Sequence, residues 1–276
     1  MNNVVVRSIS GVVFILAMLA CLMFNKFLFA GLIIFIMSVM LLEFYHITMG
    51  NSYTFSKELA IIAAIFLFGL LFATASYHIP IRFVAFAMVP IFIVMINSLY
   101  VKDKDEYGKF SNIYTGLLYI AVPIALSNLI AFDKAGNFSG NLLLCFFIII
   151  WCSDVGAFAF GISLGKIFPQ KLFPSVSPKK TWIGFIGGLV SSVLAAFALY
   201  EFGILKFPLI HCLILSFIMS VTGVYGDLFE SQWKRVYGVK DSGKIIPGHG
   251  GFLDRFDSTL MAMPFGAIYL AIFDLL

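Results

Sequence analysis

Residues 207–230 read FPLIHCLILSFIMSVTGVYGDLFE, residues 231–257 read SQWKRVYGVKDSGKIIPGHGGFLDRFD, and residues 258–276 read STLMAMPFGAIYLAIFDLL. Two apolar stretches near the length of a membrane helix bracket a segment dense in Lys, Arg, Asp, His and paired glycines. Inside hydrocarbon a chain must satisfy its own backbone polar groups, which predicts helices for both flanks. Packing alone gives no reason to gather so many polar groups beside a bilayer. The middle segment is where chemistry is expected.

The same pattern extends outward. The chain is 61% hydrophobic and 12% charged, with a mean hydropathy of +1.02. A soluble domain carries about a quarter charged residues, so the soluble class is excluded. The expectation is an all-α polytopic membrane protein with about nine transmembrane helices. Their approximate spans are 8–24, 27–48, 59–76, 81–100, 112–132, 141–162, 182–202, 207–226 and 259–275. Residues 1–140 read as N-terminal membrane helices. Residues 141–276 read as a C-terminal catalytic region with cytoplasmic loops at 163–181 and 227–258. Cys21, Cys145, Cys152 and Cys212 all fall in apolar segments without a C-x-x-C spacing, which suits small buried residues rather than metal ligands. The first apolar run has no small-residue cleavage site and reads as a retained span.

The basic residues set the orientation. With nine spans, fourteen of the 18 Lys and Arg residues fall on the N-terminal side, and only Lys26, Arg82, Lys134 and Lys206 on the other. The positive-inside rule then puts the N-terminus and the polar segment in the cytoplasm and the C-terminus on the opposite side. The expected location is the bacterial cytoplasmic (inner) membrane.

Three polar groups stand out. Asp154 lies inside the sixth span, in WCSDVGAFAFG; a carboxylate there is costly unless paired or solvated, and marks either function or a structural partner to a lysine. Ser177, Lys179, Lys180 and Thr181 precede the seventh span in SPKKTW. A capped helix start with two lysines suits an anionic headgroup, although juxtamembrane lysines also serve as plain anchors. In GDLFESQWKRVYG, a helix continued to about Tyr237 puts Asp227, Glu230, Ser231 and Lys234 on one face, with Gly238 placed to end it. Lys240, Asp241, Gly243 and Lys244 follow, then His249, Gly250 and Gly251, then Asp254, Arg255 and Asp257. Two carboxylates three residues apart can share a divalent cation; as a bland alternative they complement a helix dipole. The glycines offer backbone N–H groups, and the basic side chains offset phosphoryl charge. Gly238–Lys244 mimics a nucleotide-binding loop, but Ile245 stands where a magnesium-binding Ser or Thr is required.

With Ser231, Lys234, Arg235, Lys240, Asp241, Gly243, Pro247, His249, Gly250, Gly251, Asp254, Arg255 and Asp257 in register, the chain resembles the phosphatidate cytidylyltransferase (CDP-diacylglycerol synthase) family. Asp154, SPKKTW and GDLFES resemble family segments in the same order, so the resemblance covers about residues 150–260. Trp233 departs from the family's aliphatic residue or Phe, and Ile162 from its more usual Lys or Arg. The resemblance implies transfer of CMP from CTP to phosphatidate, giving CDP-diacylglycerol and pyrophosphate with magnesium. It implies that Asp227, Asp254 and Asp257 hold metal ions, and that Lys234 and Arg235 act with them. It further implies that Ser177, Lys179, Lys180, Asp154, Ser231, Lys240, His249, Gly250, Gly251 and Arg255 contact or organise the substrates. Implied partners are CTP, phosphatidate, the bilayer and a second copy of the chain, with no nucleic acid. Rival readings are a CTP-dependent lipid-alcohol kinase, which transfers the γ-phosphoryl group, and a polytopic transporter.

Overall fold

The computed structural model describes residues 3–101, 107–248 and 250–276, with side chains from Ile9 onward. Lys102 and Lys104 of the charge pattern, and His249 of the expected site, lie outside the described residues. The helices are α1 (Asn3–Phe24), α2 (Lys26–Met49), α3 (Thr54–Tyr77), α4 (Met88–Ser98), α5 (Tyr107–Gly116), α6 (Val122–Ala131), α7 (Asn141–Ser163), α8 (Trp182–Glu201), α9 (Leu209–Val236) and α10 (Leu253–Ile272). A 3-10 helix, Ile81–Ala87, leads into α4, and a π-helical turn, Leu117–Ala121, joins α5 to α6. Among the described residues, seven helical stretches are long and apolar enough to cross a membrane: α2, α3, Ile81–Ser98, Tyr107–Ala131, α7, α8 and α9. The chain is an integral membrane protein, predominantly helical.

The architecture is consistent with the expected all-α class, to which it adds one short hairpin. Strands β1 (Lys171–Phe173) and β2 (Ser177–Thr181) form an antiparallel hairpin, with Lys171 opposite Thr181 and Phe173 opposite Ser177. Pro174 and Pro178 disfavour helix here, since proline lacks the N–H that a helix interior needs. The segment expected as a cytoplasmic loop over 227–258 is partly helical. Its first ten residues continue α9 to Val236, and its last six start α10 at Leu253. The continuation is supported by an i,i+4 pair, Lys234 Nζ to Glu230 Oε2 at 2.5 Å. Gly238, at φ +67°, ends the helix as its position suggests.

The chain forms two compact units. The first comprises Met1–Ser139 and Val239–Arg255, the second Gly140–Gly238 and Phe256–Leu276. In the first, Tyr45, Phe29, Phe68, Phe110, Met37 and Met40 are fully buried. Tyr45 sits against Gly116, where a Cβ would lie 2.6 Å from its ring. Its hydroxyl donates to the Ile113 carbonyl at 3.0 Å, just before the π turn.

In the second unit α7 and α8 approach so closely that glycines are required along the seam. A Cβ on Gly187 would lie 2.3 Å from the Phe160 ring, one on Gly188 2.8 Å from the Ser153 carbonyl oxygen, and one on Gly184 2.9 Å from that of Ala157. Small residues at such spacing let membrane helices pack backbone to backbone, where lipid offers no hydrophobic drive. Ser153 and Ser220 also share a buried hydrogen bond of 2.7 Å linking α7 to α9. Gly188→Val should therefore destabilise the protein by about 1–3 kcal/mol through overpacking, read as a lower thermal midpoint in detergent. Gly31→Ala, where nothing lies within 4 Å of the new atom, should leave the midpoint unchanged or raised. Equal midpoints for Gly188→Val and the parent would contradict the packing described.

Candidate active site

In the second unit, α7, the β-hairpin, α8 and α9 enclose a cavity of about 510 Å³. One wall is apolar, formed by Phe158, Ile162, Leu172, Phe185 and Val224. The same lining carries four charges: the carboxylates of Asp154 and Asp227 and the ammonium groups of Lys179 and Lys180. The local fold explains how they are presented. Thr181 leaves β2 with extended backbone and caps α8, its Oγ1 accepting from the Gly184 N–H at 3.2 Å. Thr181 is therefore the cap of α8, while Ser177 pairs within the hairpin. The cap holds Lys179 and Lys180 beside the first turn of α8.

Lys180 Nζ lies 2.6 Å from Asp227 Oδ2, and Ser231 Oγ donates to Asp227 Oδ1 at 3.2 Å. Ser231 is thus first a partner of the carboxylate. The face expected on α9 is present, since Asp227, Ser231 and the Glu230–Lys234 pair follow one another along it. At Gly226, a Cβ would lie 2.4 Å from the backbone oxygen of Asp257, so α9 and α10 meet where the carboxylates are. Asp257 lies within electrostatic range of Asp227, Glu230 and Asp154, and its Oδ1 accepts the Ser258 N–H at 2.7 Å. Asp154 of α7 and Asp227 and Glu230 of α9 thus act on Asp257 of α10, while Lys180 pairs with Asp227 and Lys234 with Glu230. Arg235 is exposed. Ile162, which departs from the family's more usual Lys or Arg, lines the cavity with an apolar side chain. Trp233 stacks on Tyr237 with ring centroids 5.6 Å apart, a packing role.

The polar segment of the first unit is organised around two other carboxylates. Asp254 Oδ2 accepts from the Ser242 N–H at 2.8 Å, the Ser242 hydroxyl at 2.9 Å and the Gly251 N–H at 2.9 Å. The Gly251 N–H, expected to face phosphate, is taken by this bond. Gly250, at φ +84°, turns the chain where a Cβ would strike Asp254 Oδ2 at 2.6 Å. Lys240, Asp241, Lys244 and Arg255 are exposed. The second carboxylate is Glu43 of α2, which is 6% exposed. It accepts the N–H groups of Phe252 (3.1 Å) and Leu253 (2.9 Å).

Glu43 and Ser242 escaped the sequence reading. The signal for Glu43 was present: it is the only charged residue in FLFAGLIIFIMSVMLLEFYHIT, residues 27–48. The reasoning that singled out Asp154, a carboxylate inside an apolar helix, applies to it equally. Ser242 carried no signal, because a loop serine between Asp241 and Gly243 is unremarkable without its partners.

The sequence model of the Cytidylyltransferase family matches residues 5–273. The phosphatidate cytidylyltransferase of Bacillus subtilis (strain 168) is 41% identical over 182 residues, covering 65% of this chain and 63% of that protein. Those of Staphylococcus saprophyticus (strain ATCC 15305) and Staphylococcus aureus (strain COL) are 45% and 46% identical over 124 residues, each match covering 45% of this chain and 46% of the relative. The chain thus aligns with less than two thirds of each of these relatives. With the family match extending over nearly its whole length, the chain belongs to the Cytidylyltransferase family.

Proposed function

We propose that this protein is a phosphatidate cytidylyltransferase, forming CDP-diacylglycerol and pyrophosphate from CTP and phosphatidate for phospholipid synthesis. The observation that carries the reading is the cavity of the second unit, where Lys179, Lys180, Asp154 and Asp227 share the lining with apolar side chains. A lipid phosphate needs both halves of such a lining: cations for the headgroup and apolar surface for the first carbons of its chains. In the reaction, an oxygen of the phosphatidate phosphate forms a bond to the α-phosphorus of CTP. The bond from that phosphorus to the bridging oxygen breaks, and pyrophosphate leaves with the electron pair. Phosphatidate is ionised near neutral pH, so no side chain has to remove a proton from the nucleophile. Lys179, Lys180, Lys234, Arg235 and Arg255 would offset phosphate charge and align the two substrates. Ser177, Ser231, Lys240, His249 and Gly250 would complete the substrate contacts, Gly251 would support them through its bond to Asp254, and Asp154 would order the polar wall.

The family's magnesium suits the donors available, which are carboxylate oxygens. Among the described residues no group of three or more His, Cys, Asp or Glu is placed to hold a metal ion by itself. Magnesium does not demand one, since it binds through one or two carboxylates with phosphate oxygens and water as the remainder. Asp227 and Asp257, with Asp254 three residues earlier on α10, are the proposed ligands. When bound, the ion supplies Lewis-acid stabilisation of charge on the phosphates. The reading also takes the helices as nine spans, with the N-terminus and polar segment on the cytoplasmic side of a bacterial cytoplasmic membrane, as the Lys and Arg asymmetry supports.

Purified protein incubated with CTP, magnesium and phosphatidate should yield a CDP-lipid and pyrophosphate in equal amounts, identified by mass spectrometry and phosphate assay. CDP without a CDP-lipid would instead support γ-phosphoryl transfer and overturn the proposal. Asp227→Asn and Asp257→Asn should each lower kcat on the order of 100-fold or more, with thermal midpoints within a few degrees of the parent. Lys180→Ala should raise KM for a substrate about tenfold, the loss of one charge-assisted phosphate contact. Full turnover in Asp257→Asn would remove that residue from the site.

A further inference from the structure

We infer that Glu43 is a positioning residue for the reaction, anchoring the glycine turn and the start of α10 from within α2; the inference rests on the cytidylyltransferase reading above. Glu43 lies six residues before the end of α2, about 9 Å along the helix at 1.5 Å per residue. Segment 245–252 comes in to meet it. Ile245, Ile246, Pro247 and Phe252 line an apolar cavity with residues of α1 and α2. The Phe252 ring packs edge-on against Phe14 and Phe35, with centroids 6.2 and 6.0 Å apart. Ser10 Oγ donates to the Pro247 carbonyl at 2.9 Å. Non-helical backbone can sit against membrane helices only if its polar groups are satisfied by protein or water. Glu43 supplies acceptors where the segment turns into α10, a point at which a helix start leaves N–H groups without intrahelical partners.

Three donors converge on Glu43. The Phe252 N–H reaches Oε1, while the Leu253 N–H and the Ser242 hydroxyl reach Oε2, the last at 3.2 Å. The Ser242 hydroxyl has one proton and bridges Glu43 and Asp254, donating to one at a time. The carboxylate also accounts for glycines of the polar segment. A Cβ on Gly243 would lie 2.5 Å from Glu43 Oε1, and one on Gly251 would lie 2.4 Å from Oε2 and 2.2 Å from Ser242 Oγ. Gly243 and Gly251 are therefore small because Glu43 fills the space where their side chains would be. Asp254 follows immediately, so the turn that Glu43 fixes sets where this carboxylate stands. An ordinary helix cap from a local Ser or Asp would do none of this. Here the acceptor is fixed in α2, 210 residues away in sequence.

Glu43→Gln separates this role from a merely structural one. The amide keeps the size but replaces one acceptor oxygen with a donor that opposes the Phe252 or Leu253 N–H. In the full-length protein in detergent, amide exchange in peptides covering residues 242–255 should become at least about tenfold faster, with peptides of α3 and α8 unchanged. The thermal midpoint should fall little, kcat should drop roughly 10- to 100-fold, and KM for CTP should change far less. Glu43→Asp keeps the charge but is one methylene too short, and should resemble Glu43→Gln rather than the parent. Unchanged exchange over 242–255 in Glu43→Gln would overturn the anchoring. Normal kcat despite faster exchange would overturn the positioning role, and so would faster exchange throughout the protein. If Glu43→Gln does not fold, Ser242→Ala carries the same readouts with the same expected signs. The exchange arm needs no turnover, so it tests the anchor even if the protein makes no CDP-lipid.

Discussion

A carboxylate in or beside an apolar helix is tolerated only if donors meet it, and both units of this protein are organised by that constraint. Glu43 is met by backbone N–H groups at the start of α10 and by Ser242. Asp254 is met by Ser242 and Gly251. Asp227 is met by Lys180 and Ser231, and Glu230 by Lys234. Leaving one partner of such a set buried without the other costs more than the pair contributes. These groups are therefore held together by mutual need rather than by net stabilisation. Asp257 differs in kind: Asp227, Glu230 and Asp154 all act on it with the same sign of charge, while Lys180 and Lys234 are engaged by Asp227 and Glu230. A cation drawn to that place would relieve the repulsion, which is the physical reason for assigning metal chemistry there.

The glycines make this concentration of charge geometrically feasible. Along α7 and α8 they remove side chains so that the backbones touch beside the cavity that Asp154, Lys179 and Lys180 line. At Gly226 the same device lets α9 pass directly over the Asp257 carbonyl. A methyl group there would separate the helices at the level of the carboxylates. Packing and chemistry thus rest on the same positions, and precision in the site follows from close helix contact rather than from loops.

Much of this was legible from the chain itself. The long apolar runs announced the helices, because a bilayer imposes a length that composition reveals. The shared face of Asp227, Glu230, Ser231 and Lys234 was legible from their spacing on the condition that α9 runs on, and the structure supplies that condition. The hairpin at 171–181 was not legible: three- and five-residue strands beside prolines carry little periodic signal, and pairing is a tertiary event. The engagement of the Gly251 N–H by Asp254 was also hidden, because spacing shows which donors are available and not which acceptor reaches them first. Glu43 was readable in principle as an isolated acid in an apolar helix, but its partners lie some 200 residues away. No local pattern connects them.

Cation binding tests the central claim most directly, that acidic side chains of α9 and α10 form a site for a divalent ion. Manganese can replace magnesium as a paramagnetic probe, and electron paramagnetic resonance of purified protein in detergent counts the bound ion without requiring turnover. Saturable binding to the parent protein is expected, weakened at least about tenfold in Asp257→Asn and in Asp227→Asn. Equal affinity in the parent and both variants would contradict the claim.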